Sequence, residues 1–147
     1  MQATTTDVTA LNSLLRGEMS AVETYREARE KLGEEGGPGA NELLQLQLDH
    51  RDAADTLWHH IEQHGGEPSK GQGPWGAFVK AVTGAAKLFG DTSVLKALKE
   101  GEEHGLKDYQ DALEDKDLAE DCKALIRGFL DRQREHIATL DRLMASV

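Results

Sequence analysis

The sequence predicts an all-α fold, a four-helix bundle built as two helical hairpins that a long crossover joins. Three observations support this prediction. Helix-favouring residues dominate the 147 residues. Apolar side chains recur at helical spacing in four long segments. The breaks between these segments are short, long and short, and short breaks make antiparallel neighbours. The length suits one domain, 1-147, with a core of its own.

The first hairpin has a capping signal at its start and glycines at its turn. The first helix is predicted to run to residue 32 from a cap at Thr6, Asp7 or Thr9. The glycine-rich stretch 33–39 then ends it. The second helix is predicted over 41–64, up to a pair of glycines.

The second hairpin follows a connection long enough to cross the bundle, 65–90, which contains a shorter amphipathic helix at 75–89. Asp91 is the expected cap of the third helix, which ends near residue 115. Asp117 is the expected cap of the fourth helix, which continues to the end of the sequence. Two hairpins joined by such a crossover form a ferritin-like layout.

Composition narrows the function classes. The sequence is 38% hydrophobic and 30% charged, as globular proteins are. Its formal charge of −10 argues against binding to nucleic acid or to an anionic membrane. An acidic surface can gather cations, although solubility is the simpler explanation. A lone cysteine, no visible signal peptide and no apolar stretch of about 20 residues together favour a cytoplasmic protein.

Each main helix carries polar residues inside its apolar stripe. These residues are Glu18 in the first helix, Gln47 and His50 in the second, Glu102 in the third, and Gln133 and His136 in the fourth. Burying a carboxylate costs several kcal/mol or more unless a charge or a metal ion meets it. Two glutamates and two histidines that converge in one bundle core therefore indicate a metal site.

The same polar residues coincide in an internal repeat. A shift of 84 residues places the first helix on the third, and a shift of 86 residues places the second helix on the fourth. The coinciding pairs are Glu18 with Glu102, Tyr25 with Tyr109, Gln47 with Gln133, and His50 with His136. The two hairpins are therefore predicted to be copies related by a pseudo-twofold axis.

Three segments resemble the ferritin-like superfamily, in particular bacterioferritin and rubrerythrin. The first helix resembles the first-helix signature of bacterioferritins over residues 11–18, which end in Arg-Gly-Glu, and over the Ala-Val and Tyr that follow. The Glu of that signature is a terminal metal ligand in bacterioferritins. Residues 133–137 resemble the fourth-helix motif, where Glu-x-x-His supplies a bridging carboxylate and an imidazole. Residues 101–113 are similar to the third helix of small uncharacterised bacterial ferritin-like domains.

The resemblance implies a metal-binding protein of bacterial stress defence that handles iron, O2 or H2O2. It implies iron or manganese as the metal, while zinc also fits two Glu and two His. The expected ligands are Glu18, His50, Glu102 and His136. Whether the protein is an oxidoreductase of the ferroxidase or peroxidase type is left open, and so is whether it holds one ion or two.

The chain departs from the family at the bridging carboxylates, where it has Gln47 and Gln133. These amides are expected beside the ligands, and the charge count favours a single ion. A pair of ions would need Asp49, Glu103 or Glu135, which lie roughly 100° off the stripe. The alternative is a metal-free interaction or structural protein with a degenerate site, in which Glu and His share protons.

Three further features bear on the site and on the assembly. Counting residues from the shared turn places Glu18 and His50 ~6 Å out of register along the helix axes. Tyr25 and Tyr109 either hydrogen-bond a ligand or an oxygen species, or are core aromatics with a polar tip. The glycine break and the segment around Trp75 could mark the face of a homodimer.

Two further features lie near helix ends. His59, His60 and His64 cluster near the end of the second helix. His60 and His64 are four residues apart on one face and could hold an adventitious metal, although a solvated helix end is the favoured interpretation. Cys122 lies at a helix start, where the dipole lowers a thiol pKa. A partly buried and unreactive cysteine is favoured there over a reactive one.

Overall fold

The fold is a bundle of four long α-helices. A computed structural model describes residues 5–32, 39–70 and 91–146. The helices are α1 (Thr5–Leu32), α2 (Ala40–Gln63), α3 (Asp91–Glu114) and α4 (Glu120–Ala145). The described residues contain no strand, and the all-α prediction is confirmed. The short helix predicted at 75–89 and most of the glycine break lie outside the described residues. The single domain over 1–147 stays a prediction.

The helices pair as two hairpins. α1 packs along α2 and α3 packs along α4, and the hairpins meet mainly between α1 and α3. α2 and α4 approach each other at few points. Arg132 of α4 crosses this gap and donates to the Asp49 backbone oxygen at 3.2 Å and to Asp52 Oδ2 at 3.1 Å. No helix in the described ranges is long and apolar enough to span a membrane.

The core consists of two apolar clusters. The first comprises Leu11, Leu14, Leu15, Ala53, Ala54, Leu57, Ile61, Tyr109, Leu118, Cys122, Ile126, Phe129 and Leu130. The second comprises Tyr25, Ala28, Leu43, Leu46, Val94, Leu95, Ala97, Leu98, Leu140 and Leu143. On every helix a buried polar residue comes between the two clusters, and together these residues form the polar layer, Glu18, His50, Glu102, Gln133 and His136. The apolar clusters shield this layer from water at both ends.

The turn before α2 requires glycine for two reasons. Gly39 has φ of 77°, a conformation that side chains with a Cβ rarely adopt. A Cβ at this position would also lie 2.8 Å from Leu143 Cδ2. Gly39 therefore lets the start of α2 pack closely against the end of α4.

α2 ends in a Schellman motif. The Gly66 N–H donates to the Ile61 oxygen at 2.9 Å, and the Gly65 N–H donates to the Glu62 oxygen at 3.0 Å. Gly65 has φ of 79°, as this motif demands. The motif makes His64 the C-terminal cap of α2 and fixes its place at the end of the bundle.

The start of α4 differs from the prediction. Asp117 is not its cap; the N-cap is Ala119, whose side chain makes no capping hydrogen bond. The Ala119 N–H instead donates to Oδ1 of the buried Asp7 at 2.9 Å. Asp7, a candidate cap of its own helix, thus supports the start of another helix, which sequence spacing cannot predict.

Candidate metal centre

His50 lies at the middle of the polar layer, between the two glutamates. Its Nδ1 is 2.5 Å from Glu18 Oε2, and its Nε2 is 2.5 Å from Glu102 Oε1. All three side chains are buried. The ~6 Å offset expected between Glu18 and His50 is therefore wrong, because errors of two to four residues in predicted helix ends displace the register.

The electrostatics of the layer favour a protonated His50. Burial by itself lowers the pKa of His50, but the charges of Glu102 and Glu18 outweigh burial and hold this pKa well above its usual value. An imidazolium therefore lies between two carboxylates in the metal-free protein. Its positive charge offsets the negative charges of Glu18 and Glu102, as a bound metal ion would.

Glu102 makes the most contacts in the layer. Its Oε1 also accepts a hydrogen bond from Tyr25 at 2.6 Å, and its Oε2 lies 3.4 Å from Nδ1 of His136. Burial raises the pKa of Glu102, but His50 and His136 outweigh burial and lower it to about 2. Glu102 is 0% exposed, so it is a carboxylate held entirely by protein groups.

His136 is oriented by a residue outside the expected ligand set. Its Nε2 lies 2.9 Å from Asp49 Oδ2, while its Nδ1 faces Glu102. A histidine that donates one ring N–H to a carboxylate and turns the other nitrogen inward has the arrangement of a metal ligand. Of the three candidate additional carboxylates, Asp49 joins the layer, whereas Glu103 and Glu135 are exposed.

Each of the two tyrosines donates a hydrogen bond to the glutamate on the other helix. Tyr25 of α1 donates to Glu102 of α3, and Tyr109 of α3 donates to Oε1 of Glu18 of α1. Burial first, and then the neighbouring carboxylates, raise the pKa of both tyrosines well above the usual value, so both remain neutral donors. The crossed pairs match the pseudo-twofold relation that the repeat predicts.

The two glutamines, by contrast, have different roles. Gln133 is buried, and its Nε2 donates to the backbone oxygen of Glu102 at 3.1 Å. Gln47 is only partly buried, and its Oε1 accepts from Arg29 Nη1 at 2.9 Å. Gln133 therefore supports the layer through the main chain of α3, and Gln47 pairs with α1 at the edge of the bundle.

A groove between α2 and α4 leads to the layer. Asp49 and His136 line it, together with the acidic side chains of Glu42 and Glu135. An acidic groove that ends at a histidine offers a cation an access path.

The donor set suits a divalent cation. His50, Glu102 and His136 each offer one ligand atom, and these three atoms lie within 4.8 Å of one another. Imidazole nitrogen with carboxylate oxygen suits iron, manganese or zinc. Glu18, in contact with His50, supplies a second negative charge. The structure thus brings all four predicted ligands into one buried network.

Comparison with known proteins gives the family. A family model described as "Domain of unknown function (DUF2383)" matches residues 6–115. The chain belongs to the DUF2383 family. The match includes three of the four predicted ligands in this DUF2383 chain, while α4 and His136 lie beyond it. No protein of curated function matches the sequence.

Among solved structures, the DUF2383 chain is similar to a bacterioferritin from Rhodobacter capsulatus, described as having a metal-free dinuclear site and a haem iron. The TM-score is 0.75 at 19% identity, and the alignment covers 99% of this chain and 87% of that one. This similarity confirms the ferritin-like four-helix bundle.

Proposed function

We propose that this DUF2383 protein binds iron or manganese in its polar layer and acts in the handling of iron, O2 or H2O2 in bacterial stress defence. The observation that carries the proposal is the convergence of His50, Glu102 and His136 in a buried site. The ferritin-like fold supports it, since the bacterioferritin of this fold is described with a dinuclear site.

The residues of the layer have distinct roles in this proposal. Glu102 and the two histidines hold the ion, and Glu18 adds the second negative charge that balances a divalent cation. Asp49 keeps Nδ1 of His136 directed inward. His50 would release a proton to solvent on binding an ion. A bound Fe(II) or Mn(II) would supply electrons for the reduction of O2 or H2O2.

A single ion fits these side chains better than a pair. Gln47 and Gln133, at the places of the bridging carboxylates, carry no charge and are hydrogen-bonded to Arg29 and to the backbone of α3. Asp49 is the one additional carboxylate in contact with the layer among the described residues. A dinuclear site would need Asp49 to turn from His136 to an ion.

Metal reconstitution tests the proposal. Protein from metal-free medium is titrated with Fe(II) or Mn(II), and bound metal per chain and melting temperature are measured. One ion per chain and a higher melting temperature are expected, because an ion that binds only the folded state stabilises it. Glu102→Gln should lose both effects, and Glu103→Gln, an exposed neighbour, should keep them. No uptake and no gain in melting temperature would contradict the proposal.

The reaction needs a separate assay. Fe(II) oxidation is followed with O2 or H2O2 as the oxidant in wild type and in the Glu102→Gln variant. Faster oxidation by wild type than by the variant is expected, and the preferred oxidant identifies the substrate. Equal rates would leave metal binding without this activity. Anomalous scattering from a crystal would show whether the ion lies at the middle of the bundle.

A metal-free interaction or structural protein is the second candidate. The observation that favours it is His50 itself, which satisfies both glutamates with protons and needs no ion. It predicts a fully folded protein that binds neither Fe(II) nor Mn(II) in the titration.

A cytoplasmic location and a homodimer also stay predictions. The segment around Trp75 and most of the glycine break, which could mark the dimer face, lie outside the described residues.

A further inference from the structure

A second cluster of metal-ligand side chains lies at one end of the bundle, apart from the polar layer. His60 lies in the last turn of α2 and His64 is the C-terminal cap of that helix, while Asp121 and Cys122 come from the first turn of α4. Along α2 the cluster begins ten residues after His50, a distance of about 15 Å. We call these four residues the end cluster.

The end cluster is much less exposed than a solvated helix end. The side chains of His60 and His64 are 17% and 9% exposed, and Cys122 is fully buried. The prediction of a solvated end is therefore wrong for His60 and His64, although it holds for His59, which is 73% exposed. Asp121 is half-exposed, which leaves one side of the cluster open to solvent.

From these residues we propose that the end cluster binds one Zn²⁺ ion, with His60, His64, Asp121 and Cys122 as its four ligands. Four protein ligands close the coordination sphere, as in structural zinc sites. The ion would fasten the end of α2 to the start of α4, two helices that approach each other at few points.

The distances fit a tetrahedral ion. His60 Nε2 lies 3.5 Å from Cys122 Sγ and 3.6 Å from Asp121 Oδ2. Zinc bonds to N, O and S ligands imply neighbouring donor atoms about 3.3–3.6 Å apart. His64 Nε2 is closer to Asp121 Oδ2, at 2.6 Å, which is the distance of a direct hydrogen bond. This pair has to open when the ion enters.

Local hydrogen bonds prepare two of the ligands. The Cys122 N–H donates to Asp121 Oδ1 at 3.0 Å, so Oδ2 is the oxygen that faces the histidines. Nδ1 of His64 is buried and has no hydrogen-bond partner among the described residues. Its other ring nitrogen, Nε2, contacts Asp121, so Nε2 is the atom of His64 that faces the end cluster.

The charges balance. Asp121 and a Cys122 thiolate carry two negative charges against the two positive charges of zinc, and both histidines bind as neutral rings. Burial, together with the charges of Asp121 and Asp7, raises the pKa of Cys122 to about 12, so the metal-free thiol is protonated. This corrects the expected dipole effect. The thiol proton passes to solvent as the sulfur–zinc bond forms, since a coordinating thiol is deprotonated.

Cobalt titration tests the end cluster by itself. Cys122 is the only cysteine in the sequence, so a thiolate-to-cobalt charge-transfer band can come from no other site. Metal-stripped protein in a thiol-free reductant is titrated with Co²⁺, and then with Zn²⁺. The band is expected to saturate at one Co²⁺ per end cluster and to vanish when Zn²⁺ replaces it. The Glu102→Gln variant should give the same band, which separates this proposal from the function proposed for the polar layer.

Matched variants give the second part of the test. Cys122→Ser should abolish the band, and His64→Asn should weaken Co²⁺ binding by about 100-fold or more. The control is His59→Asn on the same helix, which is 73% exposed and should bind as wild type does. His60→Asn replaces His64→Asn if the latter does not fold. A folded wild type without the band, or equal affinity in the histidine variants and the control, would overturn the proposal.

Discussion

The substitution Glu102→Gln tests how much the buried network contributes to stability. It keeps the shape of the side chain but removes the negative charge that faces His50 and His136. The hydrogen bond from Tyr25 can remain, because the amide oxygen still accepts it. Both histidines would then face an amide in a site from which water is excluded, with Glu18 as the remaining glutamate beside His50.

The structure sets the expected magnitude. Lowering the pKa of Glu102 from 4.5 to about 2 corresponds to about 3 kcal/mol in favour of the folded state. Breaking a buried ion pair by removal of one partner typically costs about 3–5 kcal/mol. For a chain of this size, about 3 kcal/mol lowers the melting temperature by about 10 °C.

Urea and thermal unfolding in the presence of a chelator measure this loss without metal. The matched control is Glu103→Gln, an exposed neighbour on the same helix. It should change the free energy of unfolding by less than about 0.5 kcal/mol. If Glu102→Gln were as stable as this control near neutral pH, the inference that Glu102 is a charged, protein-held carboxylate would be refuted.

Four further predictions concern the network and the fold. In metal-free protein, Glu102 stabilises the fold above pH 4.5, and this stabilisation is lost as the pH falls towards 2. His50 stabilises the fold below pH 6.5, and this stabilisation is lost as the pH rises through the raised pKa of His50. Urea unfolding should therefore show the largest combined contribution between pH 4.5 and 6.5. Asp49→Asn should weaken Fe(II) or Mn(II) binding about 10–100-fold in a metal titration, because the orientation of its histidine partner is lost. Tyr25→Phe should lower the free energy of unfolding by about 1–3 kcal/mol in urea, since a buried carboxylate loses a donor. Gly39→Ala should lower the melting temperature, because the alanine meets both an unfavourable φ and a leucine methyl group; an unchanged melting temperature would contradict the close packing at this turn.

The four helices and the buried polar residues could be predicted because both depend on local spacing. Apolar residues at helical intervals define a stripe, and Glu18 or His50 within that stripe must face the core wherever the helix packs. The repeat strengthened this prediction by relating Tyr25 to Tyr109. Such inferences need no knowledge of how the helices are placed relative to one another.

The contacts between helices could not be predicted, because they depend on axial register and on the gap between α2 and α4. Spacing placed Asp49 off the stripe, yet it reaches His136 across this gap. Spacing treated Gln47 and Gln133 as equivalent, yet they bond to different helices. The sequence by itself determined that the residues of the polar layer are buried in the core of this bundle. Only the tertiary structure decided which of them touch, because a shift of one residue along a helix moves a side chain by about 1.5 Å, half the length of a hydrogen bond.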